Sequence, residues 1–361
     1  MRNHALLTEL LKEVAKGNVS MMGNMDNYVL FKYNQNCVIN DAWNDINKQA
    51  RGIIFYAPTA TIVCRPFDKF FNLDERNETK LENLPTKESF YVWEKLDGSC
   101  CSAFMMWNEI RCATPGSYES PQAEWATNWL RNHVAQMSQG TQEIFRDTLY
   151  SVTLIFEGIW PKNPAPGVIN YGDREELVLL SMRYNNGEEL TNIQVDEFAK
   201  LFSFSRPKKL NVSSFDRTLV DKVPDNEEGY VIQYFPSNTR VKVKSPTYMM
   251  LHKLRDKITY KGICEIMAAG ESRRWMTVLP KHLAASADDI IAQLNQKYFD
   301  IYYKVKDTYE QALVLKTRKV QALHIQKTLQ PEYRGLCFNM LDNKFYERNI
   351  WLTIGKLIHE E

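Results

Sequence analysis

The 361-residue sequence predicts an α+β fold built on antiparallel sheets and followed by an all-helical C-terminal domain. Two observations support this class. Between residues 28 and 244, short runs rich in β-branched and aromatic residues alternate with turn signals, which is typical of strands. After about residue 247 the strand signals nearly stop, and apolar residues recur at helical spacing. The length suffices for two domains, which we place at residues 1–250 and 251–361.

The individual elements follow from the same patterns in chain order. Leucines at helical spacing among charged residues predict a first amphipathic helix over residues 4–16. Strands are then predicted at residues 28–33, 52–56, 61–66, 90–95, 101–107 and 109–113. A helical stretch over 120–149 precedes further strands at 152–158, 177–183, 229–234 and 240–244. The C-terminal helices are predicted within 248–268, 286–315, 318–329 and 348–358.

Charge and cysteine content limit the partners and the cellular compartment that we expect. The net charge is only +1, but residues 247–361 contain 18 lysines and arginines against 13 acids. This excess suits a polyanionic partner and equally a solvated helical surface. The seven cysteines are scattered without a Cys-x-x-Cys pair, which predicts reduced thiols and argues against a zinc site. We see no signal peptide and no membrane-spanning stretch, so we expect a cytoplasmic protein.

Lys95 is the most informative residue of the chain. It lies in the segment Glu-Lys-Leu-Asp-Gly-Ser, residues 94–99, between two apolar, aromatic-rich strands. Asp-Gly is a common hairpin signal, so one interpretation is a surface turn. The other interpretation is a nucleophile, because Lys-x-Asp-Gly at such a turn is the motif of enzymes that carry a nucleotide on a lysine.

The nucleophile hypothesis requires further charged residues elsewhere in the chain. A lysine that attacks a phosphate must be neutral, whereas its ordinary pKa is about 10.4. We therefore expect neighbouring cations or a metal ion to lower the pKa of Lys95. The hypothesis also requires cations that neutralise the phosphates and carboxylates that hold a divalent metal.

Candidates for these roles occur downstream of Lys95. Arg240, Lys242 and Lys244 alternate with valines, so strand geometry places the three cations on one face. That face is either a phosphate site or a solvated edge strand. Glu157 ends one apolar strand and Glu228 opens another. A carboxylate in such a position is costly unless it binds something or lies exposed.

The order of these motifs resembles that of the covalent nucleotidyltransferases, which include ATP-dependent ligases and mRNA capping enzymes. The motifs are Arg51-Gly, Lys69-Phe-Phe-Asn, Lys95-x-Asp-Gly-Ser, Phe-Glu157-Gly, Glu228-Gly and Lys242-x-Lys244. Within that superfamily the chain most resembles the RNA ligase 1 family of T-even bacteriophages, the tRNA-repair ligases. The resemblance covers roughly residues 28–252.

The resemblance implies a role for each matched residue on the nucleotide side. Lys95 would become a lysyl-AMP through a phosphoramidate bond, in the turn that contains Asp97 and Gly98. Glu157 would bind the ribose or organise the site. The resemblance also places four positions near ATP: Tyr33, Arg51, Lys69 and Phe70 or Phe71.

It further implies residues for the phosphates, the metal and the joining step. Glu228 would position a metal ion through water. Lys242 and Lys244 would neutralise phosphates, with Lys242 contacting the α-phosphate during attack. Tyr248 resembles a family position needed for joining.

In one segment the chain departs from the family pattern. The family has lysines just before a Gly-Ser, where this chain has Thr114-Pro115-Gly-Ser, so a cation is missing unless Arg111 substitutes for it.

The helical domain has no clear match to the family either. Its long helix interleaves aromatics with lysines and forms either an RNA-stacking surface or a packing face: Tyr298, Phe299, Tyr302, Tyr303 and Tyr309 with Lys297, Lys304 and Lys306.

The implied function is an ATP-dependent RNA ligase that uses ATP and Mg²⁺, or Mn²⁺. It would join 5′-phosphate and 3′-hydroxyl RNA ends through a lysyl-AMP and an RNA-adenylate. The family expectation is a monomer that repairs broken tRNA, after an end-healing kinase and phosphatase, in the cytoplasm of a phage-infected host. Two alternatives remain: a DNA ligase or capping-type nucleotidyltransferase on the same scaffold, and a non-catalytic RNA-binding relative.

Overall fold

The computed structural model describes residues 2–25, 27–163, 167–212, 214–216, 219, 223–344 and 346–358. The chain divides into two compact units, Met1–Ser245 and Pro246–Glu361. The first contains the sheets and the second is helical. The predicted α+β class, with a helical C-terminal part, is therefore confirmed.

The strands of the first unit are antiparallel and short. In chain order they are β1 Val19–Met25, β2 Tyr28–Tyr33, β3 Arg51–Tyr56, β4 Thr61–Cys64, β5 Ser89–Lys95, β6 Ser99–Met106, β7 Glu109–Ala113, β8 Val152–Ile159, β9 Glu176–Tyr184, β10 Lys209–Leu210, β11 Gly229–Phe235 and β12 Arg240–Lys244. Among the described residues they form three sheets, ordered β1-β2-β3-β4, β10-β5-β11-β12 and β7-β6-β8-β9. The chain passes from the second sheet to the third through the short turn between β5 and β6, which directly follows Lys95.

Helices pack on the first and third sheets. Those of the first unit are α1 Arg2–Ala15, α2 Gln35–Ile39, α3 Pro121–Ala135, α4 Gln139–Leu149 and α5 Asn192–Leu201. Leu10 of α1 packs with Phe31 and Phe55 of the first sheet. Leu130 and Phe145, from α3 and α4, join the core of the third sheet. Burial of such apolar side chains is the main source of stability for each layer.

The helical stretch predicted over 120–149 is two helices rather than one. The break falls at residues 136–138, and Ser138 caps α4 by accepting a hydrogen bond from the backbone N–H of Thr141 at 3.3 Å. A serine at this position favours a helix start over continuation, because its hydroxyl satisfies an otherwise unpaired N–H group.

The second unit is built from α6 Pro246–Arg255, α7 Tyr260–Ala269, α8 Ser272–Val278, α9 Lys281–Leu313, α10 Arg318–Thr328, α11 Pro331–Leu341 and α12 Glu347–Leu357. The aromatic series of the long helix α9 divides between core and surface. Tyr298 stacks on Trp351 with ring centroids 4.5 Å apart, whereas Tyr303 is 61% exposed and Phe299 48% exposed. In the described part of the chain, no helix combines the length and apolar character needed to cross a membrane.

Candidate active site

A cavity of about 290 Å³ lies in the first unit, at the turn between β5 and β6. Three strands of the second sheet, β5, β11 and β12, contribute residues to its wall, and so do strands of the other two sheets. The structure brings together on this wall eight residues named in the sequence analysis: Arg51, Phe70, Lys95, Gly98, Glu157, Arg240, Lys242 and Lys244.

Glu228 lies against two lysines of the cavity wall, Lys95 and Lys244. The residue after it, Gly229, is the cross-strand partner of Lys95 on one side and of Lys244 on the other. This register brings Glu228 between the two ammonium groups, 2.6 Å from Lys95 Nζ and 3.0 Å from Lys244 Nζ. The carboxylate is only 2% exposed, so it is a buried anion shared by two cations.

Gly229 has to be a glycine for this register to form. Its φ is +149°, and a Cβ at this position would lie 1.9 Å from the carbonyl oxygen of Val243. The Glu-Gly pair therefore has a structural reason, because the glycine lets β11 approach β12 closely while the preceding acid turns toward the lysines.

The pKa of Lys95 is raised in this ligand-free state, contrary to the lowering expected from the sequence. Burial acts to lower it, but Glu228 and Glu157 act in the opposite direction and prevail. The geometry explains the sign, since the closest charges to Lys95 are carboxylates and not cations. Lys95 is therefore held as an ammonium ion.

Lys242 has the opposite environment. Burial, followed by repulsion from Arg51, Lys69 and Lys95, lowers its pKa to about 7. Its ammonium group lies 4.5 Å from the ring centroid of Phe70. A half-buried lysine surrounded by cations is a favourable place for an anionic ligand, because each phosphate oxygen relieves that repulsion.

Glu157 and Gly98 of the Asp-Gly turn also line the cavity and contact each other. Glu157 accepts a hydrogen bond from the backbone N–H of Gly98 at 3.1 Å, and burial together with Glu228 raises its pKa to about 7. A Cβ on Gly98 would lie 2.4 Å from the carbonyl oxygen of Gly158, so only glycine fits the turn without movement. This close approach keeps the turn after Lys95 against β8.

Asp97 stabilises this turn through hydrogen bonds to a neighbouring loop. Its carboxylate accepts hydrogen bonds from the backbone N–H groups of Val168, at 2.5 Å, and Ile169, at 2.9 Å, while its own N–H donates to the hydroxyl of Tyr171 at 2.8 Å. Asp97 therefore fixes the loop that begins at residue 167 against the nucleophile turn. It does not belong to the cavity wall.

Apolar residues also line the cavity. They are Phe67, Phe70, Trp93, Leu180, Pro207 and Val231. Apart from Phe70, the sequence analysis missed them, because they come from separate strands and loops and have no shared motif. The alternation along β5 was an available signal, since Trp93 lies two residues before Lys95 and therefore on the same face.

Three predicted nucleotide contacts lie away from the cavity wall. Tyr33 and Phe71, with Trp43, surround Lys69, whose Nζ is 5.1–5.5 Å from the three ring centroids. Burial lowers the pKa of Lys69. Phe71 is 3% exposed, so of the two phenylalanines left open by the sequence it is Phe70 that lines the cavity.

The remaining cations have other partners. Arg240 lines the cavity but pairs with Glu189, and both side chains are at most 10% exposed, so β12 does not present three equivalent cations. Arg111 pairs with Glu109 and lies over Trp107, off the cavity wall, so it does not substitute for the missing lysine.

Tyr248, the predicted joining residue, belongs to the second unit. It lies on α6, is 2% exposed and contacts the ring of His252 at a centroid distance of 5.6 Å.

The acidic side chains of the site offer few oxygen atoms to a divalent metal ion. In the described ranges, no group of three His, Cys, Asp or Glu side chains could hold a metal ion. Both oxygens of Glu228 already contact lysines, and one oxygen of Glu157 accepts a backbone N–H. This donor set fits Mg²⁺ that keeps several waters and takes other ligands from phosphates, rather than an ion held by protein alone.

Comparisons with known proteins identify the family of the chain. A family model described as RNA ligase matches residues 49–248. A candidate RNA ligase from Thermovibrio ammonificans is 33% identical over 213 residues, which are 57% of this chain and 53% of that protein. A candidate bifunctional polynucleotide kinase/RNA ligase from Autographa californica nuclear polyhedrosis virus is 22% identical over 249 residues, covering 64% of this chain and 35% of that protein.

The chain thus spans about half the length of the first curated relative and about a third of the second. Among solved structures, a candidate ATP-dependent DNA ligase from Aquifex aeolicus shares the fold, with a TM-score of 0.51 at 16% identity over 82% of this chain and 81% of that chain. The family model covers more than half of the sequence and includes Lys95, Glu157, Glu228, Lys242 and Lys244. The chain belongs to the RNA ligase family.

Proposed function

We propose that the protein is an ATP-dependent RNA ligase with Lys95 as the nucleotide carrier. The observation that supports this most strongly is the position of Lys95, in a cavity lined by both cations and apolar side chains. This combination suits a nucleoside triphosphate, because the base needs an apolar slot and the phosphates need cations.

In the first step, the amine of Lys95 attacks the α-phosphorus of ATP. The N–P bond forms while the bond from the α-phosphorus to the bridging oxygen breaks, and that oxygen leaves with the electron pair as part of pyrophosphate. Starting from the ammonium form, the lysine releases two protons in total, one before the attack and one as the phosphoramidate forms. The product is a lysyl-AMP.

The second and third steps transfer and release the AMP. A 5′-phosphate oxygen of the RNA attacks the phosphorus of lysyl-AMP. The N–P bond breaks as the nitrogen of Lys95 takes up a proton, so Lys95 leaves as the amine and an RNA-adenylate forms. A 3′-hydroxyl then attacks the 5′-phosphorus, losing its proton, and AMP leaves as the strand is sealed. ATP is the co-substrate and RNA with 5′-phosphate and 3′-hydroxyl ends is the substrate.

The side chains of the cavity divide these tasks. The apolar residues of the wall, Phe70 and Val231 among them, would hold the adenine, and Glu157 would bind the ribose. Lys242 and Lys244 would neutralise the α-phosphate during attack. Mg²⁺ or Mn²⁺, when bound, would supply further positive charge to the phosphates, and Glu228 would contact its waters.

Arg51 also lines the cavity and is proposed to contact ATP. For Tyr33, Lys69 and Phe71 we propose an indirect role: their aromatic cage would fix the backbone that leads to Phe70. Tyr248 is proposed to act in the joining step.

The biological setting is part of the proposal. A broken tRNA is the proposed substrate, selected by the helical domain, with a monomeric enzyme acting in the cytoplasm. An end-healing kinase and phosphatase are proposed to act first, and the viral relative named as a joint polynucleotide kinase and RNA ligase supports the kinase. The test of this substrate is ligation of broken tRNA beside a linear single strand and a nicked duplex. Equal rates on all three would contradict the tRNA proposal.

Formation of lysyl-AMP provides the direct test of the activity. The wild-type protein is incubated with ATP labelled on the α-phosphate, and we expect label that is stable to alkali and released by acid. A Lys95→Met variant should take up no label, whereas Lys12→Met, at an exposed lysine of α1, should label as wild type does. Thermal unfolding verifies that both variants are folded. Equal labelling of Lys95→Met and wild type would contradict the assignment.

A further inference from the structure

A second lysine lies beside the cavity, in a place that the motif series does not include. Lys32 is on β2, where it is the cross-strand partner of Arg51 on β3. The register of the two strands shifts between Phe31 and Lys32, so this pair lies at a bulge that includes Gly52. Lys32 therefore lies next to Arg51, which lines the cavity.

The turn after β7 comes close to the same two cations. A Cβ on Gly52 would lie 2.9 Å from Cα of Pro115, so the turn packs on the backbone that directly follows Arg51. A Cβ on Gly116 would lie 3.4 Å from Lys32 Nζ, which places the ammonium group at this turn. The turn that lacks the expected lysine thus receives a cation from a different strand.

The charges around this place are unbalanced. Among the described residues neither Lys32 nor Arg51 forms an ion pair with a carboxylate, and the guanidinium of Arg51 reaches only the thiol of Cys100, at 3.9 Å. Both residues are half-buried. Two neighbouring cations without a carboxylate partner attract an anion that lies between them.

The position of Lys32 indicates which anion this would be. Lys95, Lys242 and Arg51 all line the cavity, and the α-phosphorus must react at Lys95. Lys32 is not on the cavity wall and lies on the strand next to Arg51. A group bound by both cations therefore extends away from Lys95, as the leaving pyrophosphate must in a displacement at the α-phosphorus.

We propose that Lys32, together with Arg51, binds the β- and γ-phosphates of ATP and stabilises pyrophosphate as it leaves. This inference rests on the proposed function and assigns a residue to the place of the missing cation. Lys32 would act in formation of lysyl-AMP and in its reversal, and not in sealing, because no pyrophosphate takes part in the third step.

The test compares Lys32→Met with wild type, with Lys32→Arg as the conservative variant and Lys12→Met as the control. Lys32→Met should lower the rate of lysyl-AMP formation at subsaturating ATP by about 10-fold to 100-fold, the loss typical of one charged hydrogen bond. Lys32→Arg should recover most of this rate. Sealing of pre-adenylated RNA should stay within about twofold of wild type in every variant. Equal loss of sealing in Lys32→Met would contradict the inference.

Binding of inorganic pyrophosphate to the ligand-free protein gives an answer that does not depend on turnover. By calorimetry, the Kd for pyrophosphate should rise about 10-fold in Lys32→Met and stay unchanged in Lys12→Met. Equal Kd values for wild type and Lys32→Met would overturn the role of Lys32. A wild-type protein that binds pyrophosphate but forms no lysyl-AMP would instead contradict the proposed function.

Discussion

The two sides of the cavity hold their lysines in opposite states. Lys95 ends β5 and Lys242 lies on β12, and both strands neighbour β11 in one sheet. On the acidic side, Glu228 holds Lys95 protonated with a raised pKa. On the basic side, burial and surrounding cations lower the pKa of Lys242 to about 7.

The difference shows that the protonation state of a lysine depends on the charges near its ammonium group and not on the strand to which it belongs. In the ligand-free protein the proposed nucleophile is stored as an ammonium ion, while the phosphate side is short of negative charge. Arrival of a polyanionic ligand would change this balance, because phosphates favour protonation of Lys242. Substitutions on each side of the cavity test the two lysine environments separately.

The largest effect is expected on the acidic side, from Glu228→Gln. Because the amide has no charge, it no longer favours the ammonium form of Lys95, so the apparent pKa of the lysyl-AMP formation rate should move to lower pH. Removing one partner of a buried ion pair should also lower the free energy of unfolding by about 3–5 kcal/mol at pH 7. The measurements are a pH–rate profile and urea unfolding.

The matched control for Glu228→Gln is Glu227→Gln, the adjacent acid, which should leave the pH–rate profile in place. An apparent pKa that stays constant or rises in Glu228→Gln would show that this carboxylate does not hold the proton on Lys95.

An intermediate effect is expected on the basic side, from Lys242→Met. The folded-state pKa of Lys242, about 7, lies below its ordinary value of 10.5. The folded protein therefore binds fewer protons than the unfolded chain between these values, so this contribution to stability rises with pH over that window and its cost is complete below pH 7. Lys242→Met should thus stabilise the ligand-free protein at pH 6 by on the order of 1 kcal/mol.

Urea unfolding at pH 6 and pH 9 measures this effect, which should shrink at the higher pH. Lys12→Met, an exposed lysine, is the control and should show no such difference between the two pH values. A Lys242→Met protein that is less stable than wild type at pH 6 would contradict the crowding of cations on this side.

The smallest effect is expected from Glu157→Gln, on the acidic wall. Burial raises the pKa of Glu157 from 4.5 to about 7, so the folded protein retains a proton that the unfolded chain loses. The wild-type protein should lose stability as the pH rises from about 4.5 to 7, and Glu157→Gln should remove that loss. At pH 8 we expect the variant to be more stable by less than about 1 kcal/mol.

The comparison is again by urea unfolding, at pH 5 and pH 8, with the exposed acid variant Glu197→Gln as the control. Equal stability differences at both pH values for Glu157→Gln would mean that Glu157 titrates as an ordinary exposed acid does.

Much of the fold was predictable because its strands are locally distinct. The segments 28–33 and 240–244 matched the observed β2 and β12 to the residue. The strand β1, Val19–Met25, was missed because it has the sequence Val-Ser-Met-Met-Gly-Asn-Met, with only one β-branched residue. The helix α5 was missed although Thr191 and Gln194 form a capping box at its start.

By itself, the sequence determined the chemistry that is available and its order along the chain: a lysine in an Asp-Gly turn, acids at strand ends and cations on one strand face. These are local patterns, which depend on residues only a few positions apart. Only the tertiary structure decided which charges meet. Glu228 contacts Lys95 from 133 positions away, and Lys32 reaches the turn at Gly116 from another sheet. The direction of each pKa shift depends on such distances across strands, so it is a property of the folded protein.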